Sequence, residues 1–197
     1  MKQYLANFDE LNLLGANFVS EYLSGTKTNS QIAMDAKNLF IYAYNKGIRS
    51  TFEDLDEVDM AMYDDYVTSL NEKANKEVYK RFDGKDFDSK IKEYLQDGNA
   101  DGIQKVIETN YHRLFNAGGY DSAKKYSSDN GRTIKKQWNT MEDDKVRDTH
   151  DYLDKMTAGI DDEFYTFNGN HSLYPGMFGV PEEDINCRCF LTYFTQD

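Results

Sequence analysis

Apolar side chains recur at helical spacing through the first part of this chain and lose that spacing in the last part. The three-to-four-residue period extends to about residue 127, after which the runs are short, alternating or rich in aromatic residues. Elements segregated along a chain in this way indicate an α+β fold, with a helical N-terminal half followed by a small antiparallel sheet. Strands are expected near residues 132–139, 163–168 and 188–195, with a short helix that carries His150 crossing the sheet.

The N-terminal half is predicted to consist of amphipathic helices that each end near a glycine. A glycine just after an apolar stripe commonly ends a helix, because it adopts the left-handed conformation without strain. Thr28 and Gln31 have the spacing of a capping box at the start of the second helix. The predicted helices span residues 4–23, 28–47, 55–82, 87–95 and 101–119. The glycines that end them are Gly25, Gly47, Gly84, Gly98 and the pair Gly118 and Gly119.

Composition limits the classes of protein to which the chain can belong. Its 197 residues are 39% hydrophobic, which suits a globular protein with its own core. The longest obvious apolar run has six residues, so no membrane span is expected, and the N-terminus lacks the apolar segment of a signal peptide. A net charge of −12 argues against broad nucleic-acid binding and favours association with other proteins.

The rare residue types gather between residues 132 and 189, a stretch that contains the single Trp, both Cys and both Pro. Trp138 lies in a run that predicts a half-buried strand with the indole facing inward. Cys187 and Cys189 flank Arg188 in another predicted strand, where period two places both thiols on one face and the guanidinium on the other. Thiols so placed are poorly oriented to bond each other, which favours free thiols or metal ligands over a disulfide.

Charged and polar residues recur just after the Trp138 strand. If residues 143–153 form a helix, Asp143, Arg147 and His150 share one face of it with Asp154. Such a face is either solvated, with an ion pair between Asp143 and Arg147, or turned toward matched groups elsewhere in the fold. The two thiols would supply such groups.

An ordered set of residues in this region resembles a known family. The set consists of Trp138, the acidic pair Asp143 and Asp144, Val146, Arg147, Asp148, Thr149, His150, Leu153, the run Asp162-Glu163-Phe164, a loop with Pro and Gly, and a closing Ile185-Asn186-Cys187-Arg188-Cys189. At these spacings it is similar to the Mu F-like minor head protein family of tailed phages, also called the head morphogenesis family. The similarity covers about residues 100–195; its loop has Tyr174-Pro175-Gly176 where the family often has Gly-Asp-Pro.

The resemblance implies a phage minor head protein. Such a protein is a low-copy component of the virion or procapsid at the portal vertex and acts in capsid assembly or in DNA entry and exit. Its implied partners are the portal protein or other capsid proteins, and its implied location is the virion and, during assembly, the host bacterial cytoplasm. We expect residues 1–98 to form a helical docking region and residues 99–197 to form the Mu F-like minor head domain.

Two interpretations of the central residues remain open at this point. In the first, His150, Cys187 and Cys189 bind a metal ion such as zinc, although the sequence does not single out a fourth ligand. In the second, His150 and Arg147 belong to a buried polar network with Asp143, and the cysteines are small apolar residues of the core. The residues assigned to the motif are Trp138, Asp143, Asp144, Arg147, His150, Asn186, Cys187, Arg188 and Cys189.

An enzyme is the alternative class of function. Modules related to this family are found fused to toxin domains. The competing hypothesis is therefore a prophage toxin or nuclease-type enzyme that uses His150, Cys187 and Cys189. Neither cysteine has the sequence signature of an activated nucleophile. No catalytic residue is therefore assigned, and the chain is not expected to be an enzyme.

A local cluster of cations just before the motif is the candidate for contact with DNA. It comprises Lys124, Lys125, Arg132, Lys135 and Lys136 against the single acid Asp129. It lies next to Tyr126 and Trp138, and a patch of this kind suits a phosphate backbone. Because the remainder of the chain is acidic, DNA contact is expected to be weak and lost at moderate salt.

Overall fold

The computed structural model describes residues 2–55, 60–82, 93 and 97–196. Its helices are α1 (Lys2–Leu23), α2 (Asn29–Asp54), α3 (Met60–Phe82), α4 (Ala100–Asn130), α5 (Asp148–Asp151) and α6 (Pro181–Asp184). Its strands are β1 (Ile134–Asn139), β2 (Thr157–Gly159), β3 (Phe164–Tyr165), β4 (His171–Ser172) and β5 (Phe190–Thr195). Long helices therefore come first and short strands follow, which confirms the predicted α+β class.

Helix α4 is the element against which the others are arranged. Helices α1, α2 and α3 all contact it, as do strands β1 and β5. Its inward side chains include Ile103, Tyr111 and Leu114, each at most 1% exposed. Burying a large apolar side chain stabilises a fold by roughly 1.5–3 kcal/mol. A single apolar core therefore extends along α4 from the helices to the sheet.

Two predicted helix ends are wrong. Helix α2 continues past Gly47, and α4 continues past Gly118 and Gly119. These glycines lie where the two helices cross, since a Cβ built on Gly47 would stand 1.9 Å from the backbone oxygen of Phe115. Backbone meets backbone at the crossing, and a side chain there would hold the helices apart.

Other local signals are confirmed. The Thr28 side chain accepts a hydrogen bond from the Gln31 N–H, and the Gln31 side chain accepts one from the Thr28 N–H, which completes the capping box. Gly25 follows α1 with a φ of 67°. The helix predicted at residues 87–95 lies, apart from residue 93, outside the described part of the chain, and so does Gly84.

The described strands form two separate antiparallel sheets. The first has the order β2-β1-β5, with Trp138 of β1 opposite Leu191 of β5. The second pairs β3 with β4 only. The prediction that a strand at residues 163–168 belongs to the same sheet as β1 and β5 is therefore wrong. Strand β2 takes that place, and its three residues are too few to show an alternating pattern. The strand expected at residues 188–195 begins at Phe190, after both cysteines.

The division expected between residues 98 and 99 stays a prediction. Buried residues on both sides of it belong to one cluster. The Phe8 ring of α1 lies 5.2 Å from the Phe115 ring of α4 and 5.9 Å from the Phe190 ring of β5. No helix in the described ranges combines the length and the apolar character that crossing a membrane requires.

Candidate functional site around His150

His150 is presented by a single turn of helix. Helix α5 has only four residues, so the helix expected over residues 143–153 is wrong. The backbone turns at Asp143 instead, because its carboxylate accepts the N–H of Lys145 at 3.1 Å, a local bond that competes with helix formation. Consequently Asp143, Arg147 and His150 do not share a helical face.

Asp143 and Arg147 each have a partner other than one another. Asp143 and Arg188 form a bidentate ion pair with nitrogen–oxygen distances of 2.6 and 2.8 Å. The Arg188 guanidinium holds the pKa of the Asp143 carboxyl below its usual value. Arg147 donates to the backbone oxygen of Ile185. The ion pair considered between Asp143 and Arg147 is therefore not formed, and both arginines instead hold the segment before β5 in place.

The imidazole of His150 faces both thiols. Its Nδ1 atom lies 3.6 Å from Cys187 Sγ and 3.4 Å from Cys189 Sγ. All three side chains are buried, with exposed fractions of 1%, 4% and 4%. The cysteines lie just before β5, and their spacing of two residues is the one that turns alternate side chains to the same side of an extended chain. The fold therefore brings together the three residues predicted as metal ligands.

The other ring nitrogen of His150 faces a buried carboxylate. Nε2 lies 3.1 Å from Glu183 Oε2, and Glu183 is 2% exposed. The same carboxylate accepts hydrogen bonds from Thr149 Oγ1 at 2.8 Å and from Asn170 Nδ2 at 3.0 Å. Nε2 itself forms no hydrogen bond among the described residues, so Glu183 faces the ring as a neighbouring negative charge. Sequence reasoning missed it, because nothing in the acidic run at residues 182–184 marks its middle member as buried.

Aromatic rings enclose the group formed by His150, Cys187 and Cys189, which we call the His150 cluster. The Trp138 ring lies edge-on to the imidazole at 5.5 Å, and Phe178 stacks on it at 5.5 Å with an interplanar angle of 20°. Trp138 is 0% exposed, and its indole N–H is buried without a hydrogen-bond partner among the described residues. These rings make the surroundings of the thiols and the imidazole less polar than solvent, so electrostatic interactions between these groups are stronger than in water.

The two thiols differ in their tendency to ionise. The pKa of the Cys187 thiol lies well below its usual value, because Cys189 and then His150 hydrogen-bond to the sulfur and outweigh its burial. The pKa of the Cys189 thiol lies well above its usual value, because it hydrogen-bonds to Cys187 and is itself buried. Two negative charges on these neighbouring buried sulfurs would require a cation close by.

Polar contacts tie the cysteine segment to α4. The Asn116 amide donates to the backbone oxygen of Cys189 at 3.0 Å, and the Asn186 N–H donates to Thr109 Oγ1 at 3.1 Å. Asn186 has a φ of 58°, a left-handed conformation that Asn adopts more readily than most residues. Asn186 therefore contributes to the motif through its backbone, by turning the chain just before the thiols.

A small cavity, partly open to solvent, adjoins the cluster. It is lined by Met141, Lys145, Val146, Arg147, His150, Asn186, Arg188 and Cys189. The lining includes three cationic side chains and, among the described residues, no carboxylate. Asp144, the remaining residue of the predicted motif, is exposed on the turn that precedes α5. His150 and Cys189 are therefore the members of the cluster that lie nearest to solvent.

The cations expected to contact DNA do not form one exposed surface. Lys136 is 0% exposed, and its ammonium donates to the backbone oxygens of Ile160 and Leu173 at 3.0 and 2.9 Å. Two further members are paired with acids, Lys124 with Asp161 and Lys125 with Asp129. Lys136 is therefore wrong as a member of an exposed basic patch, because alternation along β1 turns it into the core. Contact of the other cations with DNA stays a prediction.

Residues 72–192, more than half of the chain, match the family model described as Phage Mu protein F like protein. The chain belongs to this family. The matched range contains α4, β1 and every residue of the His150 cluster. It confirms the resemblance seen in the ordered set of motif residues.

Curated relatives match shorter segments. NAD(+)--arginine ADP-ribosyltransferase EFV of Enterococcus faecalis strain V583 is 44% identical over 71 residues, which are 36% of this chain and 14% of that protein. Minor head protein GP7 of Bacillus phage SPP1 is 31% identical over 88 residues, which are 45% of this chain and 28% of that protein. The chain thus spans less than a third of the length of either relative. No solved structure matches it significantly.

Proposed function

We propose that this protein is a minor head protein of a tailed phage, a low-copy component of the virion or procapsid at the portal vertex that acts in capsid assembly or in DNA entry and exit. The observation that carries the proposal is the family match over residues 72–192, which the similarity to minor head protein GP7 of phage SPP1 supports. On this proposal the protein resides in the virion and, during assembly, in the cytoplasm of the host.

The enclosed centre favours an architectural role for the C-terminal half. His150, Cys187 and Cys189 are each at most 4% exposed, so a large substrate would not reach the thiols without rearrangement of the fold. The contacts of these residues join α5, α6 and the segment before β5 into one unit. A rigid unit of this kind suits a component that must keep its shape within an assembly.

The N-terminal helices supply the surface that we assign to a protein partner. Among their described residues, the exposed large apolar side chains are Leu13 at 62%, Leu14 at 37% and Leu23 at 47% on α1, and Met34 at 57% and Tyr42 at 36% on α2. Exposed apolar residues on a protein with a net charge of −12 favour contact with protein over contact with nucleic acid. The proposed partner is the oligomeric portal ring.

Co-purification with the portal protein of the same phage tests this assignment. The variant Leu13→Glu with Met34→Glu changes exposed side chains only, so its core should persist. It should bind the portal at least about tenfold more weakly, as expected when central apolar contacts are lost. The control Tyr165→Glu with Phe167→Glu alters residues that are 58% exposed in the other half, and it should bind like the wild type.

Thermal melting followed by circular dichroism establishes that each variant is folded. Loss of portal binding in the control alone would move the docking surface to the C-terminal half. Unchanged portal binding in both variants would show that the exposed apolar residues of α1 and α2 do not form the docking surface. Substitutions are better suited than deletions here, because α1 and α2 share their core with α4.

An enzymatic function is the second candidate, favoured by the similarity to a protein named as an ADP-ribosyltransferase. The test incubates purified protein with NAD⁺, and separately with DNA or RNA and a divalent metal ion. His150→Ala is compared with the wild type and with the exposed-site control Glu182→Ala. NAD⁺ consumption or nucleic-acid cleavage that is lost in His150→Ala and kept in Glu182→Ala would replace the head-protein proposal with a toxin or nuclease.

A further inference from the structure

We propose that His150 Nδ1, Cys187 Sγ and Cys189 Sγ bind one Zn²⁺ ion, with a water molecule from the adjoining cavity as the fourth ligand. The ion would join α5 to the segment before β5. The proposal does not depend on the head-protein function, because it depends only on the donor atoms and their arrangement.

The separations of the donor atoms fit a tetrahedral ion. Zinc binds thiolate at about 2.3 Å and imidazole nitrogen at about 2.0 Å, so a tetrahedral site places nitrogen and sulfur about 3.5 Å apart. The observed distances from Nδ1 are 3.6 Å to Cys187 Sγ and 3.4 Å to Cys189 Sγ. The three donor atoms all lie within 4.8 Å of one another, so one ion can reach them all.

Hydrogen bonding alone does not account for both contacts of Nδ1. A ring nitrogen carries either one proton or one lone pair, and it therefore forms one good hydrogen bond. Nε2 lies 3.1 Å from the Glu183 carboxylate, which favours a proton on Nε2 and a lone pair on Nδ1. A histidine that ligates zinc commonly has a carboxylate behind its other nitrogen, and Glu183 occupies that place.

Charge and ligand chemistry both select zinc. Two thiolates balance the charge of a divalent ion, whereas two thiolates buried without a cation would repel each other in a low-dielectric site. Thiolate and imidazole ligands are preferred by zinc and other late transition metals, and not by Mg²⁺ or Ca²⁺.

The fourth ligand of the proposed ion is a water molecule, because the protein supplies only three donors among the described residues. Within the described ranges, no further His, Cys, Asp or Glu joins the group of three. Asp143 is held by Arg188 in a bidentate ion pair. His150 and Cys189 both line the cavity, which has room for a water molecule beside them.

The metal content of the purified full chain tests the proposal. Protein expressed with added zinc and purified without a His-rich tag should contain about one zinc per chain by mass spectrometry, as expected for a single site. Cobalt exchanged into the site should show thiolate-to-metal charge-transfer absorption and the intense d–d bands of tetrahedral coordination. The chain has two cysteines, so all thiol reactivity reports on this site. Both thiols should react slowly with a thiol reagent until a strong chelator is added.

Ligand variants with matched controls complete the test. Cys187→Ser and Cys189→Ser should each lose the cobalt charge-transfer signal. Glu183→Gln should keep the metal but bind it about 10- to 100-fold more weakly, while the exposed neighbour Glu182→Gln should bind like the wild type. Wild-type protein that contains no zinc, gives no cobalt spectrum and melts at the same temperature with and without chelator would overturn the proposal. Metal binding that survives loss of both thiols would do the same.

Discussion

The backbone of Gly118 in α4 lies directly against the backbone of Tyr44 in α2, so that a Cβ built on Gly118 would stand 2.0 Å from the Tyr44 carbonyl oxygen. The Tyr44 hydroxyl also donates to Asp121 Oδ2 at 2.7 Å. Tyr44 therefore contacts α4 through both its backbone and its side chain. The crossing that places the N-terminal helices on α4 therefore depends on a glycine in the middle of a helix.

We expect Gly118→Ala to destabilise the protein by about 1–3 kcal/mol, because the helices must separate to admit a methyl group. This loss should exceed the gain in helix propensity of roughly 1 kcal/mol. Gly119→Ala is the matched control, since its Cβ would meet Thr51 and Tyr193 at an ordinary 3.4 Å and it should be neutral or stabilising. Urea unfolding measures both variants, and equal stabilities would contradict the close crossing.

The same glycines show where sequence reasoning succeeds and where it stops. The capping box at Thr28 and Gln31 was predictable because both of its hydrogen bonds are local to one turn. Gly47 and Gly118 were wrongly expected to end helices, because a glycine that ends a helix and one that admits a second helix look alike in a single sequence. Only the position of the other helix separates the two cases.

Lys136 gives a prediction of pH dependence. Burial lowers the pKa of its ammonium group to about 8, against the attraction of nearby acids. Between about pH 8 and about pH 10 the folded protein has lost this proton while the unfolded chain still binds it, so the free energy of unfolding should rise with pH in that window. The stability of the wild type relative to Lys136→Met should therefore increase by an amount on the order of 2 kcal/mol from about pH 7 to about pH 10.

Denaturant unfolding of both proteins at the two pH values measures this increase. Lys135→Met is the control, because it changes the neighbouring lysine of β1 and leaves Lys136 in place. It should keep the wild-type rise. A constant difference between the wild type and Lys136→Met across the window would show that the ammonium is not buried as described.

The ion pair between Asp143 and Arg188 predicts a coupling energy. A double-mutant cycle with Asp143→Asn and Arg188→Met should give about 0.2–1 kcal/mol at pH 7, a modest value because both side chains are partly exposed. The lowered pKa of Asp143 means that this stabilisation is present above the usual Asp pKa of about 3.9 and is lost as the pH falls through the folded value. The control cycle of Asp143 with Arg147 should show no coupling. Coupling of Asp143 to Arg147 and not to Arg188 would instead support the helix predicted over residues 143–153, in which Asp143 and Arg147 share a face.

The candidate site was predictable in its chemistry and less so in its scaffold. Period-two spacing indicated that Cys187 and Cys189 point the same way, and both do face His150. The helix expected to present His150 was wrong, because a side-chain bond at Asp143 turns the backbone before α5. Glu183 could not be found from the sequence, since its burial depends on Thr149 and Asn170 converging on it from distant segments.

Glu183 carries the last prediction, which holds with or without a metal ion. Removing its carboxylate by Glu183→Ala leaves the buried Thr149 hydroxyl and the partly buried Asn170 amide without their acceptor and removes the group that faces His150 Nε2. Since a buried donor left unsatisfied costs about 1–3 kcal/mol, the free energy of unfolding should fall by at least that amount. Glu182→Ala removes an exposed carboxylate from the same turn and should change stability by less than about 0.5 kcal/mol. Urea unfolding in the presence of a chelator isolates the protein contribution. Equal effects of the two substitutions would mean that Glu183 does not hold α6 against α5.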